Sequence, residues 1–176
     1  MAVDTFSIVK HDKKPIPIIS FVGYSNSGKT TVLTKVIREL KNRGYRVAVI
    51  KHDGHDFEMD YIGTDTWKHR QAGADITCIA SACKMAMVQT LRQPMTLDEI
   101  IQGIGNVDLI LTEGFKQEEK PQIEVCRQGK EWIGLNKNRI ALVADNQIYT
   151  GVPYFKPEEI KKITDFLVNR IKLSAE

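Results

Sequence analysis

The sequence predicts an α/β fold in three layers, a mainly parallel sheet flanked by helices and extended by an antiparallel hairpin. Three observations carry this reading. An apolar run, an amphipathic helix and a second apolar run succeed one another within residues 18–50. Strand, helix, strand in about thirty residues is the spacing of a βαβ unit, and therefore of a parallel sheet. Apolar runs at 107–112 and 140–144 supply further strands. Residues 76–80 and 85–89 are two β-like runs separated by a short turn, as in an antiparallel pair.

Taken in order, residues 1–15 form an N-terminal arm that ends at Pro15-Ile16-Pro17. Ile18-Ile19-Ser20-Phe21-Val22, bounded by Gly23, has the near-continuous apolarity of a strand buried on both faces. Val32, Leu33, Val36, Ile37 and Leu40 then recur at helical spacing, with Gly44 where a C-cap belongs. Val47-Ala48-Val49-Ile50 is the second buried strand. Residues 52–63 are polar and acidic and read as a long functional loop, after which Asp65 and Gly73 bracket a short helix. Thr96-Leu97-Asp98-Glu99 has the capping-box spacing and opens a helix ending near Gly103. Residues 123–126 make a weaker strand. Pro157, which costs no hydrogen bond in a first turn, begins a last helix running to about Arg170. No repeat, low-complexity segment or linker divides the chain, so residues 1–176 are expected to form a single domain.

Composition excludes several classes. Lys and Arg number 25 against 22 for Asp and Glu, a net charge of +3, and the basic residues are dispersed, so no nucleic acid is expected as a partner. No apolar run approaches the ~20 residues that cross a bilayer, so no membrane is expected either. The first residues lack the basic-then-apolar pattern of a signal peptide, and a cytoplasmic location is the expectation. Cys78, Cys83 and Cys126 match neither zinc spacing nor a disulfide framework. Cys78 and Cys126, in apolar β-like contexts, are expected to be buried free thiols.

Gly23-Tyr24-Ser25-Asn26-Ser27-Gly28-Lys29-Thr30 fits G-x-x-x-x-G-K-[ST] at every fixed position. The glycines admit backbone conformations closed to other residues and let N–H groups approach phosphate oxygens. The helix that follows aims its unpaired N–H groups and positive dipole end at the same place. Lys29 would add a charge over the outer phosphates, and the Thr30 hydroxyl could ligate magnesium. A chance Gly/Ser turn would lack the flanking strand and helix. The fold class therefore narrows to the P-loop NTPase type, with Gly23, Ser25, Asn26, Ser27, Gly28, Lys29, Thr30 and Thr31 as nucleotide-binding residues.

Magnesium in such sites takes an acidic contact from a neighbouring strand. Asp108 and Glu113 stand at opposite ends of the run 107–113, roughly 16 Å apart at the usual rise per residue. Ligands of parallel sheets bind beyond the carboxyl ends of the strands, which selects Glu113 as the metal and catalytic carboxylate beside Lys29 and leaves Asp108 structural. The same rule brings Lys51, His52 and Asp53 to the edge. Asp53 is the further candidate metal ligand. His52, His55, Asp53 and Asp56 could bind a transition metal, but contact with nucleotide or a partner is the preferred reading. Arg70 is a surface arginine on this reading, with an arginine-finger role as the alternative.

The phosphate loop with Thr31, Lys51-His52-Asp53-Gly54-His55, Gly63-Thr64-Asp65-Thr66, Arg70-Gln71-Ala72-Gly73-Ala74 and Thr112-Glu113-Gly114-Phe115-Lys116 together resemble the MobB family, the molybdopterin-guanine dinucleotide biosynthesis protein B. The resemblance runs from Ile18 to Asp145. It departs at Gly54, where the family often has a third histidine, and at Thr64, where it often has lysine. The resemblance implies GTP with magnesium, slow intrinsic hydrolysis and a homodimer. It also implies association with the molybdenum cofactor guanylyltransferase, which joins GMP to molybdopterin, and with related cofactor-biosynthesis proteins. It further implies that Asp145 lies where a carboxylate would accept from both N–H donors of guanine.

The leading function is thus a GTP-binding accessory protein with weak GTPase activity. An ATP-dependent small-molecule kinase would need an acceptor pocket and an Arg-rich lid, and residues 112–130 offer only Arg127. A nucleotide-binding adaptor without turnover is the third reading.

Overall fold

The computed structural model describes residues 15–173. The expected N-terminal arm, Pro15 apart, lies outside the described residues. In chain order the elements are β1 (Ile18–Val22), α1 (Lys29–Asn42), β2 (Val47–Lys51), α2 (Asp65–Gln71), β3 (Ile76–Ala80) and β4 (Met85–Gln89). There follow α3 (Leu97–Gln102), β5 (Leu109–Glu113), β6 (Gln122–Cys126), β7 (Arg139–Ala144), β8 (Tyr154–Phe155) and α4 (Ile160–Leu173). The chain forms two compact units. Among the described residues, one comprises those up to His52 and those from Ile101 onward, the other Asp53–Ile100.

The first unit is built on a six-stranded sheet in the order β2-β5-β1-β6-β7-β8, parallel throughout. Period-2 alternation along the strands sends Ile19 and Phe21, Leu109 and Leu111, Ile123 and Val125, and Ala141 and Val143 to one face. There they meet Val32, Leu33, Val36 and Leu40 of α1 and Ile163 and Leu167 of α4 in one core cluster. The apolar stripe read along α1 in the sequence is the stripe that is buried. A smaller cluster of Cys126, Leu142 and Ala144, with Tyr149, Val152 and Tyr154 against it, occupies the opposite face of β6 and β7.

The order places β1, with the glycine-rich turn at its end, between β5 and β6. Each of these neighbours delivers its own carboxyl end to the same edge, so the topology gathers three loops around one spot. Asp108 precedes β5 and locks it to β2: its carboxylate accepts from the Arg46 N–H at 2.7 Å, and its own N–H donates to the Arg46 carbonyl. That is the structural role expected for it.

The second unit contains α2 and the antiparallel β3–β4 pair, in register from Ile76↔Gln89 to Ala80↔Met85. Thr64 caps α2 by accepting from the Trp67 N–H. Thr96 and Glu99 bond reciprocally before α3, Glu99 accepting from the Thr96 N–H and Thr96 from the Glu99 N–H, as the capping-box spacing predicts.

Several expectations are corrected. Residues 123–126, read as the weaker strand, belong to a β6 that is buried along its whole length. Cys78 is exposed, because β3 pairs only with β4 and buries only Thr77; Cys126 is buried as expected. The last helix begins at Ile160, since Pro157 and Glu158 form a turn. The two-residue β8 carries no periodicity that a sequence could show. Among the described residues no helix is long and apolar enough to cross a membrane.

Candidate functional site

The turn after β1 folds as the spacing demands. Gly23 has φ +152° and Gly28 φ +91°. A Cβ on Gly23 would stand 2.4 Å from the Val125 carbonyl oxygen, and that backbone group cannot yield. Gly28 is the N-cap of α1, where no side chain caps the helix and no acid occupies the first turn. The helix therefore presents its first N–H groups and positive dipole end with no cap or acid of its own, the arrangement that favours an anion.

Lys29 is folded over the turn, its ammonium donating to the Gly23 carbonyl at 3.0 Å and the Tyr24 carbonyl at 2.7 Å. Burial lowers its pKa from the ordinary lysine value, Glu113 opposes the shift, and Lys116 and Lys51 add to it. Lys29 thus feels two further ammonium groups and the Glu113 carboxylate, a field suited to a polyanion. Lys116 also lies over the Tyr24 ring, 5.3 Å from its centroid.

Thr30 and Glu113, 83 residues apart, meet directly: the Thr30 hydroxyl donates to Glu113 Oε1 at 2.6 Å. Glu113 ends β5 opposite Phe21 of β1 and Lys51 of β2. Its carbonyl accepts from the His52 N–H at 2.9 Å, and the His52 ring packs on Phe115 with centroids 5.0 Å apart. The Lys-His and Glu-Gly-Phe-Lys segments, remote in sequence, are therefore one surface beside the turn.

Asp145 follows β7, with Oδ2 accepting from the Gln128 N–H at 2.7 Å. Tyr154 donates to the carbonyls of Ala144 and Asp145, which fixes this strand end. Each carboxylate oxygen has two lone pairs, so Asp145 retains acceptor capacity. Asp53 belongs to the second unit, where it accepts from the His55 N–H at 3.3 Å. Arg70, in the same unit, is paired with Glu58 and stands 3.8 Å from Asp60. Among the described residues no group of three or more His, Cys, Asp and Glu side chains could hold a metal ion.

Sequence reading missed two features. Arg127, the first residue after β6, lies against the turn, its Nε 2.8 Å from where a Gly28 Cβ would be. Glu124 and Arg139 form an ion pair at 3.3 Å with both side chains fully buried. Glu124 also accepts from the Tyr149 hydroxyl at 3.2 Å and from the Ile133 N–H. Burial, and then the Glu124 charge, push the Tyr149 pKa up, so its hydroxyl stays a donor. Arg139 reaches Gln122 at 3.1 Å and the Gly134 carbonyl at 3.0 Å. The signal available for the pair was Gln122 and Glu124 alternating with apolar Ile123 and Val125 along β6.

The fit of a nucleotide to this site rests on the turn itself. Ser27 is fully buried, and its Oγ has no hydrogen-bond partner among the described residues. A buried hydroxyl left unpaired costs ~1–3 kcal/mol unless a partner arrives. With the uncapped helix end and the three lysines, the residues present suit a phosphate chain, and the Thr30–Glu113 pair suits a hard divalent cation.

Comparisons with known proteins point to one family. A family model described as Molybdopterin guanine dinucleotide synthesis protein B matches residues 18–145. The molybdopterin-guanine dinucleotide biosynthesis adapter protein of Haemophilus influenzae is 35% identical over 158 residues, covering 88% of this chain and 89% of the relative. That of Escherichia coli is 34% identical over 166 residues, covering 89% and 94%. The crystal structure of Bacillus subtilis MobB superposes with a TM-score of 0.70 at 25% identity, covering 88% of this chain and 97% of that one.

Proposed function

This chain belongs to the molybdopterin guanine dinucleotide synthesis protein B family, and from that premise we propose that it is a GTP-binding adapter in molybdopterin guanine dinucleotide biosynthesis with slow, magnesium-dependent GTPase activity. The observation that carries the nucleotide reading is the Thr30–Glu113 hydrogen bond. It joins the second residue of α1, which ends the Gly23 to Thr30 pattern, to the acid of a neighbouring strand, the two groups that would hold magnesium. Magnesium, when bound, would neutralise charge developing on the outer phosphates. Lys29 would exchange its loop carbonyls for phosphate oxygens, a better match for an ammonium group. Loop amides and the α1 dipole would orient the chain of phosphates, and Asp145 would accept from the guanine N–H donors that adenine does not present.

Calorimetric titration tests this. The protein should bind GTP more tightly than ATP, and magnesium should strengthen the binding. Asp145→Asn, which replaces an acceptor with a donor, should narrow the GTP preference by about tenfold, one good hydrogen bond's worth. Equal affinity for the two triphosphates in the unaltered protein would remove the guanine assignment. Phosphate transferred to an added small molecule instead of water would favour a kinase.

The adapter role requires protein surfaces, here a homodimer and the guanylyltransferase. On the β3–β4 pair, residues opposite one another share a face, which puts Ile76, Cys78, Met85 and Met87 side by side, all exposed. Exposed apolar patches of this kind mark interaction sites. We assign this face to a second copy of the chain. Light scattering at micromolar concentration should return twice the monomer mass, and Met87→Glu should return the monomer mass; a monomeric unaltered protein would refute the assignment.

A further inference from the structure

We propose that Arg127 is a nucleotide-binding residue that grips, from the β6 side of the glycine-rich turn, the phosphates that guanosine di- and triphosphate share. The proposal rests on the phosphate-site reading above and adds a direction to it. In the sheet β1 has β5 on one side and β6 on the other. The Thr30–Glu113 pair, suited to the cation and the outer phosphates, comes from the β5 side. On the other side the turn lies directly against β6: the Cβ that Gly23 lacks would strike the Val125 carbonyl, and the one that Gly28 lacks would meet Arg127 Nε and, at 3.5 Å, Cζ. Two residues of the turn are thus glycine where β6 and its first loop residue approach.

Arg127 is exposed, and among the described residues no hydrogen bond or ion pair holds its guanidinium. Its backbone is fixed nonetheless. Cys126 ends the buried β6, the Gln128 N–H is held by Asp145, and the Arg127 carbonyl accepts from the Lys130 N–H at 3.0 Å. A guanidinium on a fixed backbone, facing an uncapped helix end, is a preorganised phosphate contact. The Gln128–Asp145 bond sets that contact beside the carboxylate proposed to read the base. A phosphate chain running from Glu113 toward Asp145 would therefore meet Arg127 at its base-proximal end.

Titration of GTP and GDP into the unaltered protein, Arg127→Gln and Arg127→Lys, each with and without magnesium, tests this. Arg127→Gln should weaken GTP and GDP by the same factor, about tenfold, in both conditions, with the melting temperature unchanged. Arg127→Lys should recover part of the loss. Unchanged affinity for both nucleotides would overturn the proposal while leaving the phosphate site standing. A loss confined to GTP would overturn it too, since Arg127 would then face the outer phosphate. If the unaltered protein bound neither nucleotide, both readings would fall.

Discussion

Lys29→Ala is expected to lower triphosphate affinity by at least about 100-fold, or roughly 2.7 kcal/mol, with the fold intact. Lys29 is the one charged residue of the stretch Gly23 to Thr30, and its ammonium donates to two backbone carbonyls, of Gly23 and Tyr24. Contacts from such a group to phosphate contribute about 1.5–3 kcal/mol each. Removing it also strips the charge that a polyanion would meet at the mouth of α1. Stability should barely change, because the core cluster is built from Ile19, Phe21, Val32, Leu33 and their neighbours, and Lys29 is not a member of it. Calorimetry gives the affinity and a urea melt the stability. Undiminished affinity with a normal melt would remove the turn from the nucleotide site.

Glu124→Ala is expected to have the largest effect on stability, about 3–5 kcal/mol. Three groups depend on that carboxylate: the Arg139 guanidinium, the Tyr149 hydroxyl and the Ile133 N–H. The Glu124 and Arg139 side chains are both fully buried, and Ile133 and Tyr149 are half-buried. Truncation strands a buried cation and two donors, and a domain of this size has only about 5–15 kcal/mol in hand. Glu124→Gln, which keeps an acceptor and the shape, should cost less. A urea midpoint for Glu124→Ala within error of the unaltered protein would show that the pair contributes nothing. The network also links β6, β7 and the segment 127–138 that follows β6, so a destabilised variant should lose nucleotide affinity along with order in that segment.

The contrast between these two positions shows where legibility ends. The position of Lys29 could be read from the sequence because the turn follows from spacing: a glycine five residues before Gly28, a lysine and a threonine after it, a strand in front and an amphipathic helix behind. Glu113 could be read because strand direction and the carboxyl-edge rule leave one choice of two acids. Glu124 could not. A glutamate between Ile123 and Val125 looks like a polar interruption and makes the strand look weak, yet β6 is buried throughout. Its partner Arg139 lies fifteen residues away, and nothing local says that the two charges neutralise one another. Cys78 erred in the opposite direction: its apolar neighbours suggest burial, yet β3 has only β4 beside it and leaves four of its five residues exposed.

The sequence by itself determined the βαβ beginning, the phosphate-loop turn, the placement of Glu113 at a strand end and the family likeness. Each depends on periodicity, on spacing or on the conformations open to glycine, which are properties of short stretches of chain. Only the tertiary structure decided the order β2-β5-β1-β6-β7-β8, and with it which loops flank the turn. It alone brought Thr30 to Glu113, set Arg127 against Gly28, and closed Glu124 onto Arg139. Those contacts join residues that share no local pattern. They rest on hydrogen bonding, close approach and charge pairing between elements that are neighbours in space, and none of these exists until the sheet has formed.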